Sequence, residues 1–157
     1  MTRTRRTRVL LADDHTLVRA GVRKVLEAQP GIEVVGEVPG GEAALRELAS
    51  TGADVLVLDI TMPGMDGFEV LRRARTKHKD LKVLILTMHA SPEYMARAVK
   101  EGADGYLLKD SAVHELVAAI GEVMEGRAYF SPEVQRELSR MVQHPAEPRP
   151  LDQLTDR

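Results

Sequence analysis

Two short runs constrain this chain more than any other feature: Val55-Leu-Val-Leu58 and Val83-Leu-Ile-Leu86 contain no polar residue. A run of four is too short for a buried helix, and it does not alternate. It reads as a strand covered on both faces, the condition of a parallel sheet sandwiched between helices. Val9–Ala12, Ile32–Val38 and Gly105–Leu108 read as three further strands. Amphipathic stretches fill the gaps between them. Thr16 is placed to cap the first, with Leu17, Val18, Val22, Val25 and Leu26 as its inward stripe, and Pro30-Gly31 breaks it. Gly41–Ser50 carries Ala44, Leu45 and Leu48. Asp66 caps a helix through Thr76. Ser91-Pro92 opens another, with proline where its missing N–H costs nothing. Ser111 caps a fifth helix that Gly126 closes.

Strict β-α alternation over about 120 residues implies right-handed crossovers and a doubly wound α/β fold with a five-stranded parallel sheet. Beyond it, Pro132–Val142 reads as an extra C-terminal helix. His144-Pro-Ala-Glu-Pro-Arg-Pro150 reads as a semi-rigid linker. The chain therefore divides into a basic arm (1–7), a main domain (8–127), a linker helix (128–143) and a proline-rich tail (144–157).

Composition narrows the chemistry. There is no cysteine, which excludes disulfides, thiolate nucleophiles and cysteine metal sites and fits a reducing cytoplasm. The net charge of −2 gives no global bias toward nucleic acid or membrane. The apolar run after the basic arm is too short for a signal sequence, and no run approaches a membrane span.

In an open parallel sheet, ligands bind where the carboxyl ends of the strands meet the loops. Here those ends carry Asp13-Asp14, Asp59, Thr87 and Lys109. Taken singly, each has a plainer reading: a turn, a surface pair, a strand-end hydroxyl. Together they bring three carboxylates to one rim, where they repel one another unless a cation intervenes. Mg²⁺ suits such oxygen ligands, with Mn²⁺ as a substitute, and the absence of His or Cys at the strand ends disfavours zinc. A positioned carboxylate attacks phosphorus. Asp59, on the middle strand, is the natural nucleophile. Asp14 and Asp59 would hold the metal directly and Asp13 through water, while Lys109 and Thr87 meet the remaining phosphoryl oxygens.

Asp13-Asp14, Asp59-Ile-Thr-Met-Pro-Gly-Met-Asp-Gly67, Thr87 and the Lys109 of Gly105-Tyr-Leu-Leu-Lys109 resemble the receiver domain of two-component response regulators, over about residues 8–127. That family has strand order 2-1-3-4-5. The resemblance implies phosphorylation of Asp59 by a sensor histidine kinase. It also implies Mg²⁺ held by Asp14, Asp59 and the backbone carbonyl of Thr61, with Asp13 assisting. Thr87 and Lys109 would read the phosphate, and Tyr106 would be the switch aromatic. The plainer reading of Tyr106 is a strand-end aromatic. The receiver would catalyse only its own phosphorylation and dephosphorylation, and is otherwise no enzyme.

Leu11-Ala-Asp-Asp-His-Thr-Leu-Val-Arg-Ala-Gly-Val22, Thr87-Met-His89 and Gly102-Ala-Asp-Gly-Tyr-Leu-Leu-Lys-Asp110 resemble the NarL/FixJ subfamily, and Leu154-Thr-Asp-Arg157 resembles the start of its LuxR-type helix-turn-helix domain. That domain would need roughly sixty more residues. The expectation is a receiver and linker of a transcription factor, homodimeric in its full-length phosphorylated form, with DNA contacted only through the missing domain. A stand-alone receiver serving a phosphorelay or a protein partner is the alternative. Pro39, in Gly36-Glu-Val-Pro-Gly-Gly41, departs from the family's pattern and is expected to fix the backbone and reshape the loop between the second strand and second helix, where kinase contacts would fall. Thr61 and His89 flank the phosphosite, either tuning water access or standing as ordinary loop residues. Haloacid-dehalogenase-type phosphatases also combine Asp, Mg²⁺, Thr and Lys, but they need an acid where this chain has Thr61.

Overall fold

The computed structural model describes residues 6–62, 64–88, 91–109 and 112–143. The first residues of the basic arm, His89, the Ser111 cap and the proline-rich tail lie outside the described residues. Twelve elements follow in chain order: β1 (Thr7–Ala12), α1 (Thr16–Glu27), β2 (Ile32–Val38), α2 (Gly41–Thr51), β3 (Val55–Leu58), α3 (Gly67–Lys77), β4 (Lys82–Thr87), α4 (Pro92–Lys100), β5 (Gly105–Leu108), α5 (Ala112–Met124), β6 (Tyr129–Phe130) and α6 (Pro132–Gln143).

All strands pair in parallel, in the order β2-β1-β3-β4-β5-β6. The apolar strands divide their side chains between two layers with the period of the pleat. Val9, Leu11, Val55, Val57, Leu84, Leu86 and Leu107 face α1 and α5. Leu10, Leu56, Leu58, Val83, Ile85 and Tyr106 face α2, α3 and α4. This is why β3 and β4 read as unbroken apolar runs: each face meets its own helix layer. The caps form as the sequence indicates at two helices. Asp66 Oδ1 accepts from the Glu69 N–H at 3.0 Å, and Ser91 Oγ accepts from the Tyr94 N–H at 3.4 Å.

Three expectations need correction. The sheet has a sixth strand. Tyr129 and Phe130 pair with Gly105 and Tyr106, and the Ser131 N–H donates to the Tyr106 carbonyl at 3.2 Å. A two-residue strand has no periodicity to detect. Secondly, Leu17 does not face the core but is 86% exposed, since the inward stripe Val18–Val22–Leu26 advances by four and leaves its neighbour a third of a turn away. Thirdly, the N-cap of α1 is His15, not Thr16. Asp13 Oδ1 accepts the His15 N–H at 2.8 Å, which turns the chain one residue earlier.

Helix α6 packs on the main body. Val134 is fully buried in the same cluster as Tyr106, Met95 and Ala98, with Leu138 against its edge. The sixth strand depends on Gly105, where a Cβ would stand 2.4 Å from the Tyr129 carbonyl oxygen and 2.5 Å from Leu84 Cδ2. Gly105→Ala is expected to cost about 1–3 kcal/mol, as overpacking does, and to displace β6. Hydrogen exchange would register it first at the Tyr129 and Ser131 amides.

Candidate functional site

The rim residues are placed by the sheet itself. Asp13, Asp59 and Lys109 are each the first residue past a strand, and each is pinned by a bond to a neighbouring strand. The Asp13 N–H donates to Val38 O at 3.0 Å, the Asp59 N–H to Ala12 O at 2.9 Å, and the Lys109 N–H to Thr87 O at 2.7 Å. The loop after Asp59 turns back tightly enough for the Gly67 N–H to donate to Ile60 O at 3.2 Å. Only glycine permits this, because a Cβ at position 67 would lie 2.3 Å from Ile60 Cα.

Asp59 is 1% exposed. Its Oδ1 accepts from both the backbone N–H and the hydroxyl of Thr61, each at 3.0 Å. Its Oδ2 receives Lys109 Nζ at 3.0 Å, and the same ammonium lies 2.8 Å from Asp13 Oδ2. Asp13 Oδ1 holds the His15 N–H, and the Asp13 carbonyl accepts from the Arg19 guanidinium. Arg19 is held in turn by Glu37 at 2.8 Å. The Arg23 hydrogen bond, followed by that of Arg19, outweighs burial and keeps the Glu37 carboxyl below the ordinary range. Thr87 is fully buried at the end of β4.

The structure thus gathers Asp13, Asp14 and Asp59 at one rim, with Lys109 bridging two of them and Thr87 on the adjoining strand end. It also adds His15, whose Nδ1 lies 3.1 Å from Asp13 Oδ1, 3.5 Å from Asp14 Oδ1 and 3.6 Å from Asp59 Oδ2. One ligand atom from each of these four residues falls within 4.8 Å of the others. The sequence signal for His15 was its place directly after the aspartate pair, but attention to strand ends alone passes over it. Thr61 is likewise more than a loop residue, because its hydroxyl points back to the central carboxylate.

Residues 9–121 match the model of the response regulator receiver domain. The chain belongs to the response regulator receiver family. The receiver is 40% identical over 131 residues to the response regulator UvrY of Escherichia coli K12, covering 83% of this chain and 60% of UvrY. It is 35% identical over 150 residues to GacA of Pseudomonas protegens, covering 96% of this chain and 70% of GacA. The chain thus spans only part of the length of these curated relatives. Among solved structures it resembles a LuxR-family two-component response regulator from Aurantimonas, with TM-score 0.83, 36% identity, and coverage of 87% of this chain and 98% of that one. It also resembles the isolated receiver domain of RcsB from Salmonella enterica with the phosphomimetic BeF₃⁻, with TM-score 0.79, 30% identity, and coverage of 84% and 98%.

The receiver's rim fits a hard divalent cation. Asp14 Oδ1 is buried and accepts no hydrogen bond among the described residues, an arrangement that is costly for a carboxylate unless a cation meets it. Two donors facing each other across a divalent ion stand about 4–5 Å apart, twice an ordinary metal–oxygen distance, which the span of this cluster matches.

Tyr106 is fully buried on β5. Burial above all raises its phenol well past the ordinary tyrosine value, and the charges of Tyr94 and Asp59 add to this. The unfolded phenol ionises first on raising the pH, so the folded state holds more protons there and stability falls as pH rises. Wild-type protein is expected to keep this contribution below about pH 10 and to lose it above. Tyr106→Phe should flatten the alkaline arm of stability measured by urea unfolding.

Proposed function

We propose that this receiver accepts a phosphoryl group on Asp59 from a sensor histidine kinase, assisted by Mg²⁺, and passes the change to a DNA-binding output domain that controls transcription in the cytoplasm. The single observation that carries this is the buried Asp59 carboxylate, held between Thr61 and Lys109 beside two further carboxylates at the rim of a parallel sheet.

An oxygen of Asp59 attacks phosphorus as the bond to the donor's leaving group breaks, a histidine nitrogen in the kinase or a carboxylate oxygen in a small acyl phosphate. Mg²⁺, held by Asp14, Asp59 and the Thr61 carbonyl with Asp13 behind them, would offset the charge on the phosphoryl oxygens. Lys109 moves with its ammonium from the carboxylates toward the new phosphate, and the Thr87 hydroxyl donates to another phosphoryl oxygen. Thr61 orients the acceptor by holding Oδ1 and leaves Oδ2 facing Lys109.

The phosphate adds about −1.5 to −2 charge. Drawing Thr87 inward disturbs the end of β4, where Thr87 pairs with Leu108 of β5 and Ile85, two residues earlier, pairs with Tyr106. Tyr106 shares one cluster with Val134 of α6 and carries the Ser131 bond that starts it. A shift at Tyr106 therefore reaches α6, and through it any domain that follows. Homodimerisation of the phosphorylated full-length protein is the expected output, with DNA contacted by that further domain.

Intact mass after incubation with Mg²⁺ and a small acyl phosphate tests the reading. The chain should gain one phosphoryl group in Mg²⁺ and none in a chelator. A gain that ignores the metal would refute the assisted transfer.

A further inference from the structure

We propose that His15 is a nitrogen ligand at the rim of the cation pocket, and that it makes this receiver bind imidazole-seeking divalent ions such as Ni²⁺ or Zn²⁺ there more tightly than Mg²⁺. The proposal rests on the reading of that rim as a cation site.

His15 occupies the N-cap of α1, yet its side chain makes no capping bond. Its backbone is fixed instead by Asp13 Oδ1 at 2.8 Å, and the ring turns toward the carboxylates. Nδ1 stands 3.1, 3.5 and 3.6 Å from oxygens of Asp13, Asp14 and Asp59, and 3.0 Å from Lys109 Nζ. In the tautomer protonated on Nε2, Nδ1 offers its lone pair to the Lys109 ammonium, which has none, whereas in the other tautomer it donates to Asp13 Oδ1. A cation selects the first tautomer, whose lone pair is directed at the point that Lys109 now shares with the carboxylates. Half of the imidazole is exposed, which leaves it room to follow an incoming ion.

Three carboxylates and one imidazole form a mixed oxygen and nitrogen donor set. Mg²⁺ gains little from nitrogen and keeps several waters. Later first-row ions gain from imidazole, increasingly along the series to Cu²⁺. Asp14 Oδ1, which accepts no hydrogen bond among the described residues, lies 3.5 Å from Nδ1 and supplies an oxygen on the same side.

The test measures Mg²⁺ and Ni²⁺ binding to the whole chain by calorimetry at one fixed pH, with Cu²⁺ electron paramagnetic resonance as the signature of a nitrogen ligand. Wild type, His15→Gln, His15→Ala and His78→Ala are compared. His78, which ends α3, serves as the control for stray histidine binding. His15→Ala and His15→Gln should weaken Ni²⁺ by at least about tenfold, within the range that disturbed metal sites show, while Mg²⁺ changes by less than about twofold by the same measure. The nitrogen splitting of Cu²⁺ should vanish in both variants and persist in His78→Ala. Unchanged Ni²⁺ binding and splitting in the His15 variants, with Mg²⁺ still bound, would overturn the proposal and leave the cation pocket standing. Mg²⁺ binding that survives Asp13→Asn and Asp59→Asn unaltered would instead remove the pocket reading itself.

Discussion

Asp59→Asn is expected to abolish phosphoryl uptake while leaving the fold in place. The amide is nearly isosteric with the carboxylate, and its oxygen can still accept from the Thr61 N–H and hydroxyl that hold Asp59 Oδ1 at 3.0 Å. It has no anionic oxygen to attack phosphorus. Uptake from an acyl phosphate in Mg²⁺, read by intact mass, should fall to background. Stability should change little, because two effects oppose each other. The substitution loses the ion pair with Lys109 at 3.0 Å, and it relieves repulsion from the Asp13 and Asp14 carboxylates. The net change in urea unfolding without metal should stay within about 2 kcal/mol, the usual scale of single substitutions. A phosphoryl adduct as strong in Asp59→Asn as in wild type would move the acceptor elsewhere. Loss of uptake accompanied by unfolding would leave the role of Asp59 to be decided by Asp59→Glu, whose carboxylate reaches further. That variant should fold and accept little.

Much of this arrangement was legible in the sequence because burial on both faces leaves an unmistakable signature. Val55–Leu58 and Gly105–Leu108 fall on their strands to the residue, and Val83–Leu86 lies within β4. The ends of β1, β3 and β5 follow from the polar residue after each, so Asp13, Asp59 and Lys109 arrive at one rim by topology alone. What the sequence hid was local. Leu17 carries the hydrophobicity of a core residue, but it sits in the first turn of α1 beyond the edge of the inward stripe, and only the phase of the helix reveals that. His15 belongs to a loop, where no periodicity reports the direction of a side chain. Its position is set by a side-chain bond from Asp13 that competes with the helix start. Strand β6 arises from the contact of Tyr129 with the bare backbone of Gly105, a tertiary event with no local pattern.

Lys109→Met carries the largest expected cost in stability, and its dependence on metal separates two accounts of the lysine. The side chain of Lys109 is 3% exposed, and its ammonium lies 2.8 Å from Asp13 and 3.0 Å from Asp59, themselves nearly enclosed. Methionine fills most of the same volume, so packing changes little. The charge does not return, and two carboxylates lose their shared partner. Removing one member of such a buried pair costs about 3–5 kcal/mol, and metal-free urea unfolding should show a loss of that order with an unchanged slope. Lysine and cation compete for the same carboxylate oxygens. Mg²⁺ should therefore stabilise Lys109→Met more than wild type, where the ammonium must first give way. At a hundredfold excess over its dissociation constant a ligand contributes about 2.7 kcal/mol, enough to close much of the gap. If Lys109 served only to fill space near β5, the loss would be equal with and without Mg²⁺. A gap that narrows with Mg²⁺ shows the ammonium standing where the cation's charge is needed, ready to leave the carboxylates when phosphate arrives.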